Sequence, residues 1–131
     1  MKNKSILIAL FALVIVGISA NSKADLSRSE KDCVVKMVYH EARSLSKSDW
    51  LKVANVALNR KYDKARYKSR SKHLCDIVKS KEFDTAKSLN AKIKETKRFK
   101  QIENALSQND WQNQTNALFF KTVDGQMVYW R

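Results

Sequence analysis

The chain has 131 residues, which is room for one domain and little else. Its 26 Lys and Arg residues against 13 Asp and Glu give a net charge of +13, and a field of this sign favours polyanionic partners. There is no proline and there are only two glycines, so helices meet few breakers and a mostly helical fold is expected.

The N-terminus has the pattern of a secretory signal. Two early lysines precede an apolar run of 13 residues over 6–18, and Ser22 and Ala24 occupy the positions that a signal peptidase reads. The run is shorter than the roughly 20 residues of a membrane-spanning helix. We therefore predict a signal peptide over 1–24, cleaved after Ala24, with a retained signal anchor as the alternative. The protein would be secreted or periplasmic, with no stable membrane insertion after cleavage.

The cysteine and histidine contents bound the chemistry of the exported part. Cys33 and Cys75 both lie in it, and an even count in a small secreted domain favours a disulfide. Two free thiols are the alternative. His40 and His73 show no Cys-x-x-Cys or His-x-x-x-His spacing, so no metal site and no cofactor is expected.

Two helices are predicted in the first half. Ser29 is the expected N-cap of the first, with Asp32 in the place of the usual Glu or Gln of a capping box. Ser48 is the expected N-cap of the second, with Asp49 in its first turn. Apolar residues at helical spacing predict the buried faces. They are Val34, Val38, Tyr39 and Ala42 in the first helix, and Trp50, Val53, Ala54, Ala57 and Leu58 in the second.

The second half adds a basic loop over 61–72, a short helix over 74–78 and an amphipathic helix over 91–106. Asp124-Gly125 then separates two aromatic and β-branched runs, which is a strong hairpin signal. The predicted fold class is α+β and mainly α, a small helical domain with a C-terminal β-hairpin.

Two segments carry a resemblance to a known family. Tyr39-His40-Glu41-Ala42-Arg43 is followed by Val-Ala-Asn-Val-Ala-Leu-Asn-Arg over 53–60. Together they resemble the core signature of the cell wall hydrolase (SleB, spore-cortex-lytic enzyme) family. Weaker similarity extends over 33–130. Ser44-Leu45 stands where the family has Gly-Glu, and Glu-Phe-Asp over 82–84 stands where it has Gln-Phe-Ser.

The resemblance implies a lysozyme-like domain over 25–131 that cleaves the glycan strands of peptidoglycan, as a muramidase or as a lytic transglycosylase. The role would be wall remodelling or lysis. The expected partners are glycan strands and anionic envelope polymers, and the protein is expected to be a monomer. Glu41 matches the family's single catalytic glutamate. The dipole at the C-terminal end of its helix disfavours negative charge, which helps to keep the carboxyl protonated as a general acid.

Other polar and aromatic residues are candidates for substrate contacts. The residues predicted to bind substrate are Tyr39, Arg43, Asn59, Phe83 and Phe120. For Asn59 and Arg60 a structural cap is an equal alternative, and His40 is expected at the surface or at a groove edge. Asp49, Glu82 and Asp84 are candidates for a second carboxylate, and none of them has a spacing that assigns it the role.

A non-enzymatic alternative explains the charge and the signal equally well. In it, the protein is a basic secreted module that binds peptidoglycan or anionic envelope polymers without cutting them. Nucleic acid is not an expected partner, because the chain is exported and carries no recognised nucleic-acid-binding motif.

Overall fold

The computed structural model describes residues 26–63, 73–79 and 91–131, apart from the side chains at 109 and 110. The predicted signal over 1–24 and most of the predicted basic loop lie outside the described residues. So do three candidate site residues, Glu82, Phe83 and Asp84.

Helices precede a single hairpin in the described part of the chain, so the predicted fold class of mainly α with a C-terminal β-hairpin is confirmed. The elements are α1 (Arg28–Ala42), α2 (Lys47–Tyr62), α3 (Leu74–Val78), α4 (Thr96–Ala105), a 3₁₀ helix (Asn109–Asn113), β1 (Phe119–Val123) and β2 (Gln126–Trp130).

The start of α1 is fixed by a complete capping box. Ser27 Oγ accepts the backbone N–H of Glu30 at 3.2 Å, and Glu30 Oε1 accepts the backbone N–H of Ser27 at 3.2 Å. The prediction of Ser29 as the N-cap was wrong. The pair two residues earlier has the full Ser-x-x-Glu pattern, and its glutamate reaches back to the cap.

The start of α2 also lies two residues before its predicted position. Ser46, and not Ser48, is the N-cap, and its Oγ accepts the backbone N–H of Asp49 at 3.3 Å. Trp50 Nε1 donates to the carbonyl of Ala42 at 2.8 Å, which satisfies one of the carbonyls that the end of α1 leaves without a helical partner.

The core lies where α1 and α2 pack against each other, with α3 and α4 around them. All nine residues predicted for the two buried faces are buried. The two helices are antiparallel. Trp50 meets Ala42 at one end of the pair, and Lys61 Nζ meets Glu30 Oε2 at 2.9 Å at the other.

The predicted disulfide is confirmed. Cys33 of α1 is bonded to Cys75 of α3, with Cα atoms 5.3 Å apart and 42 residues of separation in the chain. A five-residue helix has little stability of its own. The bond and four buried residues, Leu74, Cys75, Ile77 and Val78, hold α3 against α1.

The helix in the last third of the chain is shorter than the predicted helix over 91–106. Helix α4 begins at Thr96 and not near residue 91, because the backbone N–H of Glu95 donates to the hydroxyl of Tyr39 at 2.9 Å and ties this segment to α1. The hairpin is confirmed. Asp124 and Gly125 form its turn with φ of 49° and 77°, as a type I′ turn requires.

Among the described residues, none of the helices is both long and apolar enough to cross a membrane.

Candidate active site

Glu41 lies in the last turn of α1, one residue before the helix ends. Residues three and four apart share a face of a helix, and the residues at those distances before Glu41 are Val38 and Met37, both fully buried. Glu41 therefore continues the stripe that faces the core, and it is itself half-buried. Its carboxyl is placed where this stripe meets the surface.

Tyr39 and Arg43 occupy another flank of the same helix end. The Arg43 guanidinium lies 5.2 Å from the centre of the Tyr39 ring, and its Nε donates to Glu95 Oε2 at 3.0 Å. Tyr39 is 1% exposed, and its ring packs edge-on against Phe99 at 5.8 Å. The buried Tyr39 ring thus supports the Arg43 side chain. Direct contact of Tyr39 or Arg43 with a glycan stays a prediction.

His40 is half-buried beside Tyr39, at 5.1 Å between ring centres. Burial first, and then the positive charge of Arg43, lowers the pKa of His40 below its usual 6.5. At neutral pH the ring is therefore uncharged. No described residue hydrogen bonds to its buried Nε2 atom.

Asn59 is part of a hydrogen-bonded clamp that sequence reasoning did not identify. Asn59 Nδ2 donates to the carbonyls of Thr115 and Ala117, both at 2.9 Å. Asn55 lies one turn earlier in α2 and is fully buried. Its Oδ1 accepts the backbone N–H groups of Gln114 at 2.7 Å and Thr115 at 2.8 Å. The two asparagines fasten the segment between the 3₁₀ helix and β1 to α2.

Arg60 extends this clamp to the hairpin. Its side chain is buried, and its Nε donates to the carbonyl of Leu118 at 2.6 Å. These contacts are structural, but they are not the helix cap set beside substrate binding, because α2 continues past Arg60 to Tyr62 and its C-cap is Asp63. They also place Asn59 near the Glu30 end of the helix pair, away from Glu41. A contact of Asn59 with a glycan stays a prediction.

The hairpin divides its aromatic residues between two faces. Phe120 and Tyr129 are cross-strand partners, and both pack against the core. Phe119 and Trp130 form the neighbouring pair on the outer face and stack at 5.5 Å, with Trp130 45% exposed. Sequence reasoning chose Phe120 as a substrate contact, but Trp130 is the more exposed ring, while Phe119 is half-buried like Phe120.

Asp49, one of the candidates for a second carboxylate, is bound on both sides. Its Oδ1 accepts the hydroxyl of Tyr129 at 2.7 Å and its Oδ2 accepts Ser46 Oγ at 3.0 Å. Burial first, and then the hydrogen bond and charge of Asp49, raises the pKa of Tyr129 above its usual 10. Asp49 therefore couples the start of α2 to the hairpin. The other two candidates, Glu82 and Asp84, lie outside the described residues.

Glu30 is the charged residue that sequence reasoning missed. It is 7% exposed, and its Oε2 accepts Lys61 Nζ at 2.9 Å and the backbone N–H of Leu74 at 3.0 Å. Burial raises the pKa of Glu30, but the hydrogen bonds from Lys61, Leu74 and Ser27 and the charge of Lys61 outweigh it and bring the pKa to about 2. The Ser-x-x-Glu spacing was the signal that could have found this residue.

Of the predicted site residues that are described, Tyr39, Glu41 and Arg43 are all at the C-terminal end of α1, but Glu41 is on a different flank from the other two. Asn59 lies towards the other end of the helix pair, and Phe120 packs against the core from the hairpin. The described residues hold no group of three or more His, Cys, Asp or Glu side chains that could bind a metal ion. No family, curated protein or solved structure matches this chain.

Proposed function

We propose that the protein is an exported enzyme that cleaves the glycan strands of peptidoglycan, with Glu41 as its single catalytic carboxylate, and that the domain is lysozyme-like. The observation that carries the proposal is the position of Glu41. It is half-buried on the core-facing stripe of α1, at the end of the helix. The similarity of segments 39–43 and 53–60 to the cell wall hydrolase family supplies the substrate and the reaction.

In the proposed reaction, protonated Glu41 donates its proton to the bridging oxygen while the bond from that oxygen to the muramic acid C1 breaks. Positive charge develops on the muramic ring, as in other glycosidases. The Glu41 carboxylate then takes a proton from the oxygen that attacks C1. Attack by the muramic 6-hydroxyl leaves a 1,6-anhydro end, and attack by water leaves a reducing end.

The location of Glu41 at the C-terminal end of α1 supports a general-acid role. A guanidinium beside the carboxyl would favour its ionised form. The Arg43 side chain contacts the Tyr39 ring and the Glu95 carboxylate on another flank of the helix. The C-terminal end of α1 adds a field that disfavours negative charge at Glu41.

The direct test is Glu41→Gln, which keeps the shape of the side chain and removes the proton that it would donate. The rate at which turbidity of purified peptidoglycan falls should drop by about 10² to 10⁴. Asp49→Asn, Glu82→Gln and Asp84→Asn are the matched controls and should each have smaller effects. Near wild-type clearing by Glu41→Gln, with loss in one of the controls, would show that the assignment is wrong.

Mass spectrometry of the released muropeptides separates the two reactions. An anhydro end identifies a lytic transglycosylase, and a reducing end identifies a hydrolase. The alternative function, a basic secreted module that binds the wall without cutting it, predicts no soluble fragments from wild type or Glu41→Gln.

A further inference from the structure

A cavity of about 420 Å³ lies beside the C-terminal end of α1. Its lining residues are Arg43, Ser44, Lys94, Glu95 and Arg98. Three of the five are cations and one is an acid, so the lining is positive overall. A concave surface with this balance of charge attracts anions more strongly than isolated surface lysines do, because the walls focus the field.

Both guanidinium groups of the cavity are supported by aromatic rings. Arg43 lies 5.2 Å from the ring centre of Tyr39, and Arg98 lies 5.9 Å from that of Trp50. The rings are fixed in the core, since Tyr39 is 1% and Trp50 is 6% exposed. Side chains that are held in this way lose less freedom when they bind a ligand. The planar donor set of arginine also matches a carboxylate in geometry.

The cavity already binds one carboxylate, which is its own. Glu95 Oε2 accepts Arg43 Nε at 3.0 Å, and the two side chains are 57% and 45% exposed. An ion pair this exposed contributes little free energy. A second carboxylate can therefore displace that of Glu95 at small cost, while the bond from the Glu95 backbone to Tyr39 keeps the wall of the cavity in place.

We infer that this cavity binds a carboxylate of the peptide stems of peptidoglycan, an inference that rests on the proposed function for its choice of polymer. Arg98 and Lys94 bind the incoming carboxylate, and Glu95 is the internal group that it displaces from Arg43. Arg43 lies roughly 200° around α1 from Glu41. A group bound here therefore branches away from the bond that Glu41 would cleave, as a peptide stem branches from the glycan strand.

The test is co-sedimentation with insoluble peptidoglycan, measured in the Glu41→Gln background so that the polymer stays intact. One arm uses untreated polymer, and the other uses polymer whose stem carboxylates have been converted to amides. Arg98→Gln should weaken binding to the untreated polymer about tenfold, the size of one hydrogen-bonded charge pair, and should change binding to the amidated polymer little. Thermal melts of each variant confirm that it is folded.

Matched variants on the hairpin distinguish binding at this cavity from the effect of the protein's net charge. Lys121→Gln removes the same charge from an exposed position on β1 and should weaken binding less than twofold. Glu95→Gln should strengthen binding to untreated polymer about threefold, because Arg43 loses its competing carboxylate. Asp124→Asn makes the same change of charge at the hairpin turn and should have a smaller effect.

Equal weakening by Arg98→Gln and Lys121→Gln would overturn the inference, and so would undiminished binding to amidated polymer. Failure of the proposed function has a different signature. In that case wild type and Glu41→Gln release no fragments, while Arg98→Gln still weakens binding to untreated polymer more than binding to amidated polymer. The carboxylate site then stands, and the enzyme proposal is wrong.

Discussion

The two ends of α1 are built in opposite ways. At the N-terminal end, the Glu30 carboxylate accepts hydrogen bonds from Ser27, Lys61 and Leu74, and the Cys33–Cys75 bond lies one turn further on. At the C-terminal end, Glu41 is half-buried, and among the described residues Arg43 contacts the exposed Glu95 carboxylate and the face of the Tyr39 ring.

Under the proposed function, this difference separates stability from catalysis along one helix. A buried carboxylate with strong partners stabilises the fold and is unavailable for chemistry, because each bond fixes its charged form. A carboxylate at the edge of the core is partly desolvated and still within reach of a ligand. The N-terminal end therefore anchors α1, and the C-terminal end is the candidate site.

The largest effect on stability should come from removing the disulfide. The Cys33→Ser/Cys75→Ser double variant should lose roughly 4 kcal/mol of unfolding free energy, because the bond closes a long loop. Urea denaturation of both proteins measures the difference. Thiol titration of the denatured wild type should find no reactive cysteine. Two reactive thiols would show that α1 lacks this anchor in solution.

Acid should selectively weaken the Glu30 anchor. Its pKa falls from 4.5 to about 2 on folding, so its contribution is fully present above pH 4.5 and is lost as the pH falls towards 2. The shift corresponds to about 3 kcal/mol. Glu30→Gln should lose about this much at pH 7 and much less at pH 2, as urea denaturation at both pH values would show. An equal loss at both would mean that the charge of Glu30 is not what stabilises α1.

A smaller effect is expected where the hairpin joins the start of α2. Tyr129→Phe removes the hydrogen bond to Asp49 and should cost about 1 kcal/mol. In a double-mutant cycle with Asp49→Asn, the coupling energy should be of the same size. A coupling near zero would leave Asp49 available for the role of second carboxylate, and would weaken the assignment of catalysis to Glu41 alone.

Local patterns predicted much of the fold. Helical spacing identified both buried faces, and Asp124-Gly125 identified the hairpin, because these signals depend on residues that are close in sequence. The caps of α1 and α2 were each placed two residues late. Several serines lie close together there, and only the backbone hydrogen bonds that the Ser27 and Ser46 side chains accept show which of them caps.

The candidate site was predicted less completely. Glu41 was found through a resemblance, and the structure adds that it lies on the stripe of Met37 and Val38. The contact between Arg43 and Glu95 spans 52 positions in sequence, and the Asn55 clamp reaches Thr115. No local period encodes such contacts, since they depend on how the helices pack.

The central claim is that the N-terminal end of α1 stabilises the fold and that its C-terminal end carries catalysis. The most direct test compares Glu41→Gln with Glu30→Gln, measuring the unfolding free energy and the rate of peptidoglycan clearing for each variant. We predict that Glu41→Gln changes stability by less than about 1 kcal/mol and lowers the clearing rate by about 10² to 10⁴. We predict that Glu30→Gln loses about 3 kcal/mol and, where it is folded, clears at close to the wild-type rate. Wild-type clearing by Glu41→Gln, or abolished clearing by a fully folded Glu30→Gln, would contradict the account.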